Sequence, residues 1–153
     1  MIKYFNEGMM ALNLHILKDY AELSKASADF LADFISKNPD AVISFPSGDS
    51  PLSTFQKLVE YAQMGKVEVS QNRFVGLDEW VGMGKNDEGS CTQFMYKNVF
   101  EPLHIDGSNI IFFDTLAQNL AAECSRIDSY IYKNGGLDLM LVGLGMNGHI
   151  GLN

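Results

Sequence analysis

The sequence predicts an α/β protein: a Rossmann-like open, mostly parallel sheet with helices on both faces. Two observations carry that expectation. Short apolar runs alternate with stretches of helical periodicity, and the runs end in loops rich in glycine, serine or acidic residues. Parallel neighbours need crossover connections, and those connections are usually helical.

The first element is a helix over residues 17–37, where Leu17, Tyr20, Leu23, Phe30, Leu31, Phe34 and Ile35 recur at helical spacing. Asn38-Pro39-Asp40 ends it, because the residue before a proline is pushed out of the helical region. Residues 41–46 read as a short buried strand, and a second helix carries Phe55, Leu58, Val59 and Tyr61. Residues 73–77 give the next strand and residues 92–100 a helix with Phe94, Met95, Val99 and Phe100. A strand over 109–113, a helix over 120–132 and a last strand over 137–142 complete the alternation. The glycine-containing stretch 82–89 reads as a loop on the carboxyl side of a strand.

Residues 1–153 are expected to form one domain, since a chain of this length buries roughly two-thirds of its unfolded surface. The last strand lacks a following helix, so the sequence reads as the front portion of a longer fold, truncated at its C-terminal end. No apolar run approaches the ~20 residues needed to span a bilayer. The first 17 residues mix Lys3, Asn6, Glu7 and Asn13 with apolar residues, unlike a signal peptide. A cytoplasmic location away from membranes is the expectation.

Nineteen Asp and Glu against 11 Lys and Arg leave no basic stripe for nucleic acid. A phosphorylated metabolite is still compatible, because a helix start can hold a phosphate on an acidic protein. Cys91 and Cys124 are expected to be reduced thiols, and the scattered His15, His104 and His149 make no Cys/His metal site with them. No metal and no cofactor are expected. A homo-oligomer is compatible with the sequence.

In open parallel sheets, ligands bind outside the carboxyl ends of the strands. Three loops fall there. In Ser47-Gly48-Asp49-Ser50-Pro51, Gly48 permits close backbone approach, Ser50 suits an N-cap and Pro51 a first helical position. The loop could hold a phosphate or be an ordinary capped helix start, and the Asp49 carboxylate would have to point away from an anion. In the second loop, Asp78 and Glu79 are adjacent, so an extended backbone turns only one toward a site. In the third, Gly143, Gly145 and Gly148 match dinucleotide-loop spacing, but they follow the last strand instead of the first. His149 is its unusual member, an imidazole suited to proton transfer near neutral pH.

Together, Ser47-Gly48-Asp49-Ser50-Pro51, Leu77-Asp78-Glu79-Trp80-Val81 and Gly143-Leu144-Gly145-Met146-Asn147-Gly148-His149-Ile150-Gly151-Leu152-Asn153 resemble the glucosamine-6-phosphate deaminase family in content and order. Asp78-Glu79-Trp80-Val81, Gly89-Ser90-Cys91 and Gly135-Gly136-Leu137-Asp138-Leu139 look closest to its galactosamine-6-phosphate branch. The resemblance implies an enzyme that opens an amino-sugar 6-phosphate ring, isomerises it to the ketose and releases ammonia. It assigns Asp78 to proton movement between C1 and C2 and His149 to ring opening. Some relatives carry Asp where this chain has Asn147, so Asn147 is expected to orient instead of titrate. Ser47, Gly48, Asp49, Ser50 and Gly145 are the expected substrate-binding residues.

The resemblance also places a Glu directly after the third motif, and basic phosphate ligands later still. A polypeptide ending at Asn153 is therefore expected to be inactive. Two alternatives compete: a 6-phosphogluconolactonase-like hydrolase, which shares the fold and a glycine loop leading to His, and a noncatalytic sugar-phosphate sensor.

Overall fold

The alternation of apolar runs with helical stretches resolves into four parallel strands whose order along the sheet departs from their order along the chain. The computed structural model describes residues 2–4 and 12–152, so Asn153, at the end of the third motif, lies outside the described residues. Strands β1 (Ile2–Tyr4) and β2 (Leu12–Leu14) form an antiparallel pair of their own, which the sequence did not suggest. There follow α1 (Tyr20–Lys37), β3 (Val42–Phe45), α2 (Asp49–Gln63), β4 (Arg73–Gly76) and α3 (Cys91–Met95). A π-helical turn, Tyr96–Phe100, extends α3 and precedes β5 (Ile110–Ile111), α4 (Leu120–Lys133) and β6 (Leu139–Met140).

The sheet runs β5-β4-β3-β6, parallel throughout. The chain steps outward from β3 to β4 to β5, then returns across the sheet to place β6 on the other side of β3. Parallel crossovers are nearly always right-handed, so reversing the direction of travel must move the connecting helix to the opposite face. The packing agrees. Ile43, Phe45 and Phe74 point to one face, against Leu31 and Ile35 of α1 and Phe55 and Leu58 of α2. Val42 and Val75, their neighbours in sequence, point to the other and meet Ile127 of α4. This is the period-two alternation of a strand buried on both sides.

Aromatic packing ties the first face together: Phe74 lies 5.6 Å from Phe45 and 5.4 Å from Phe100 between ring centroids. Gly76 at the end of β4 leaves room for the Phe112 ring, which a Cβ there would strike. Two polar clamps set the edges. Asp138 accepts from the Val42 N–H at 2.8 Å and donates its own N–H to the Val42 carbonyl at 2.9 Å, registering β6 on β3. Glu123 in α4 accepts from the Asp114 N–H at 2.7 Å and from Arg126, whose guanidinium also donates to the Phe112 carbonyl. The Arg126 hydrogen bond, opposed by burial, holds the Glu123 carboxyl down at about 2.

Observed boundaries differ from the expected ones in a consistent way. Only Ile110–Ile111 of the 109–113 run and Leu139–Met140 of 137–142 join the ladder. Beside β6, Asp138 and Leu141 still donate single backbone N–H bonds to the carbonyls of Val42 and Ser44, and Phe112 and Phe113 beyond β5 pack on the core clusters outside the ladder, a distinction that an apolar pattern does not make. Among the described residues, no helix is long and apolar enough to cross a membrane.

The Phe45–Phe74–Phe100 cluster carries a direct expectation. Phe74→Ala should lower stability by about 3–5 kcal/mol, from lost burial and the cavity left behind, as read by urea denaturation with far-UV circular dichroism. A loss below about 1 kcal/mol would show that this cluster is not the centre of the core.

Candidate active site

The return of the chain from β5 to β6 makes β3 and β6 neighbours whose crossover helices, α2 and α4, lie on opposite faces, so the carboxyl edge between them is a switch point of the sheet, where a crevice lies. All three loops singled out in the sequence meet there. A cavity of about 270 Å³ is lined by Ser47 to Ser50 after β3, Asp78 after β4, and Gly145 and His149 after β6. Asn147 lies beside it, in contact with His149. A larger cavity of about 430 Å³ lies behind the same Asp78 turn, walled by Phe113, Leu120 and Met140. The smaller one is the candidate site, because the groups capable of proton transfer and anion binding converge in it.

The β3 loop is built differently from the expectation. Ser50 is not the N-cap and Pro51 is not the first helical residue: α2 begins at Asp49, and Gly48 caps it with φ of 118° and no side-chain cap bond. Glycine takes this position because the backbone there lies in a region other residues rarely adopt. With no cap bond and no N–H on Pro51, the N–H groups of Asp49 and Ser50 at the helix start keep their capacity to bind an anion. The Asp49 side chain is exposed. Tyr20, at the start of α1, fixes this turn by sharing its hydroxyl between the carbonyls of Asp49 and Ser50 at 2.9 and 3.0 Å.

The β4 loop separates its two carboxylates. Glu79 turns to the first turn of α3, accepting from the N–H groups of Cys91 and Thr92 at 2.9 and 2.8 Å and from the Thr92 hydroxyl at 2.7 Å. Burial raises its proton affinity, but the Thr92 and Cys91 hydrogen bonds outweigh it and hold the carboxyl below its ordinary range. Asp78 turns into the crevice and is half-buried. Burial, aided by the charge of Glu79, holds its carboxyl above the ordinary range, against weaker opposing hydrogen bonds from Cys91 and the Leu152 backbone. Adjacent acids thus become one structural anion and one group capable of taking and returning a proton.

The glycine loop seats the imidazole. Its turn is closed by the Gly145 N–H donating to the His149 carbonyl and the Gly148 N–H donating to the Gly145 carbonyl, both at 2.9 Å, with Gly148 at φ of 84°. The His149 ring lies against Gly145 so closely that a Cβ there would overlap it. Asn147 Oδ1 accepts from the His149 backbone N–H at 3.3 Å and also faces the ring Nδ1. The backbone donor assigns the Asn147 atom as oxygen, and an oxygen can only accept, so this contact favours the tautomer with the proton on Nδ1. In the neutral ring Nε2 is then free to accept one. Gly151, at φ of 60°, brings the far end of this loop to Asp78, with Oδ2 3.2 Å from where a Cβ would stand.

Cys91 is a member of the site that the sequence reading did not place there. It is buried at the start of α3 and lines the same crevice. The hints were its place in the Gly89-Ser90-Cys91 segment that carried part of the resemblance and its position after Ser90, the N-cap of α3, whose hydroxyl accepts from the Gln93 N–H at 3.0 Å. Among the described residues, no three His, Cys, Asp or Glu side chains group closely enough to hold a metal ion.

Residues 19–151 match the model of a family described as glucosamine-6-phosphate isomerases/6-phosphogluconolactonase. A glucosamine-6-phosphate deaminase of Clostridium perfringens (strain 13 / Type A) is 37% identical over 142 residues, 93% of this chain and 59% of the relative. AgaI of Escherichia coli (strain K12), a deaminase by name, is 39% identical over 140 residues, 92% of this chain and 55% of its own. This chain therefore spans less than two-thirds of the length of the curated relatives it matches. Among solved structures, a monomeric glucosamine-6-phosphate deaminase of the NagB superfamily superposes with a TM-score of 0.84 at 31% identity, over 88% of this chain and 56% of that one. A 6-phosphogluconolactonase from Thermotoga maritima gives 0.75 at 20% identity, over 90% and 62%, which speaks for the fold alone.

Two substitutions test the local geometry. Glu79→Ala should cost about 1–3 kcal/mol by orphaning N–H donors of α3. Because the folded-state carboxyl is held low, its contribution is present above the unfolded value of roughly 4.3 and lost as pH falls through the lower folded value. The stability gap between parent and Glu79→Ala should accordingly close on acidification in urea titrations; a gap constant with pH would refute the cap. Gly145→Ala should displace the imidazole, seen as a changed His149 resonance in histidine-selective NMR with the fold intact.

Proposed function

The chain belongs to the family of glucosamine-6-phosphate isomerases and 6-phosphogluconolactonases, and on that premise we propose that it is an amino-sugar 6-phosphate deaminase/isomerase with Asp78 as its isomerisation base. The observation that supports this most is the setting of Asp78: a half-buried carboxylate at the switch point of the sheet, with raised proton affinity, facing an imidazole across a crevice that a helix start closes.

In this reading the sugar phosphate lies with its phosphate on Ser47, Gly48 and the N–H groups opening α2, where the helix dipole favours an anion. Asp49, exposed at the rim, turns its carboxylate to solvent, and Ser50 contributes its backbone N–H. His149, with Nδ1–H held by Asn147, uses Nε2 to move the proton between the anomeric hydroxyl and the ring oxygen, which opens the pyranose. Gly145 keeps the imidazole in place. Asp78 then removes the proton from C2, so that the C–H electron pair forms the C1=C2 bond and the aldehyde oxygen gains a proton. Returning the proton to C1 leaves an iminium at C2; water adds there and ammonia leaves, giving the ketose 6-phosphate. Galactosamine 6-phosphate and glucosamine 6-phosphate are both candidate substrates in this proposal.

The family description also includes lactone hydrolysis. That reading needs no carbon base, so Asp78 separates the two. The protein carrying this sequence, at its natural full length, should release ammonia and tagatose or fructose 6-phosphate from galactosamine or glucosamine 6-phosphate. It should leave 6-phosphogluconolactone at its spontaneous rate. Asp78→Asn should lower kcat about 10²–10⁴-fold, the usual worth of a general acid/base group. Turnover within tenfold of the parent would overturn the role of Asp78, and lactone hydrolysis without ammonia would overturn the reaction.

A further inference from the structure

One group in the crevice has no task in that reaction. The Cys91 thiol, on the first residue of α3, reaches across from the helix to Asp78, with Sγ 3.7 Å from Oδ1. The residue is 6% exposed, so the sulfur end of the contact is shielded from water. We propose that Cys91 is a positioning residue for Asp78, its S–H donating to Oδ1 so that the carboxylate is oriented in the crevice as a proton acceptor.

The direction of donation follows from the surroundings. Burial, against a weaker opposing contribution from the Ser47 hydroxyl, pushes the thiol up to about 11. At neutral pH the sulfur therefore carries its proton and the carboxylate is the acceptor. This also removes Cys91 as a nucleophile, since the thiolate is the reactive form.

The choice of sulfur has a chemical meaning. Glu79, one residue away, meets backbone N–H groups and a hydroxyl at the same helix start and is held low. Asp78 meets a weak donor there and stays raised. A thiol fixes the carboxylate's direction while leaving most of its basicity, which a stronger donor would remove. The other charged or titratable groups around Asp78 are Glu79 beside it, His149 and Asp49 in the crevice, and Asp114 and Glu123 bordering the cavity behind its turn. Of these, Glu79 also meets Cys91, and its 2.9 Å bond from the Cys91 backbone N–H is available in both variants.

The proposal rests on the reading of Asp78 as the base, but its test does not require turnover. Carbon-detected NMR titration of the Asp78 carboxyl should be compared in the parent, Cys91→Ala and Cys91→Ser. Loss of the donor in Cys91→Ala should move the titration to higher pH. Cys91→Ser, which supplies a stronger donor, should leave it at or below the parent's. An unmoved midpoint in Cys91→Ala, or an equal rise in both variants, would overturn the proposal, because sulfur bulk and not donation would then be responsible. In turnover assays, Cys91→Ala should move the acid limb of kcat upward with KM unchanged. If the titration order holds while neither amino-sugar phosphate is converted, Cys91 keeps its positioning role and only the proposed reaction falls.

Discussion

The pairing of β3 with β4 on one side and β6 on the other is the constraint on which the remaining structure depends. Because all neighbours are parallel, each connection must cross over, and because the direction of travel reverses, the crossover to β6 changes face. The carboxyl ends of β3 and β6 thereby become the switch point of the sheet, and the loops leaving them line one crevice. The Asp138 clamp to Val42 stabilises this junction at the opposite end of the strands, so the loops at the crevice are free to carry irregular backbone.

Chemistry at this crevice arises from unequal treatment of similar groups. Asp78 and Glu79 share a turn, yet one is desolvated and the other is tied to helix donors. The imidazole is likewise specified by its second nitrogen: Asn147, which cannot itself accept a proton at neutral pH, decides which ring nitrogen is left open. Burial and hydrogen bonding are what set the two carboxylates apart.

Much of this was legible in the sequence. The helix 17–37, the four parallel strands and the convergence of three loops follow from apolar period and from where strands end, and the period-two rule required Asp78 and Glu79 to part. What was not legible depends on contacts between distant segments. Ser50-Pro51 has the local signature of a cap and first turn, but the backbone twist at Gly48 and the grip of Tyr20, some 30 residues away, start α2 earlier. Cys91 lies 13 residues from Asp78 and meets it only because Glu79 draws the head of α3 to the end of β4. The expected helix 92–100 was correct in extent, but its second half winds as a π-turn, which side-chain spacing does not disclose.

The capping of α3 by Glu79 also bears on motion. Its carboxylate links the backbone at Trp80, Cys91 and Thr92, so the turn after β4 and the head of α3 are coupled and must shift together. The segment between them contains Gly82 and Gly89, both with positive φ, where backbone rotation is least costly. Bending at these glycines would then swing the intervening loop 83–88 over the crevice while Asp78 and Cys91, joined at its base, stay put, so that opening the site to solvent need not disturb the distance between base and thiol.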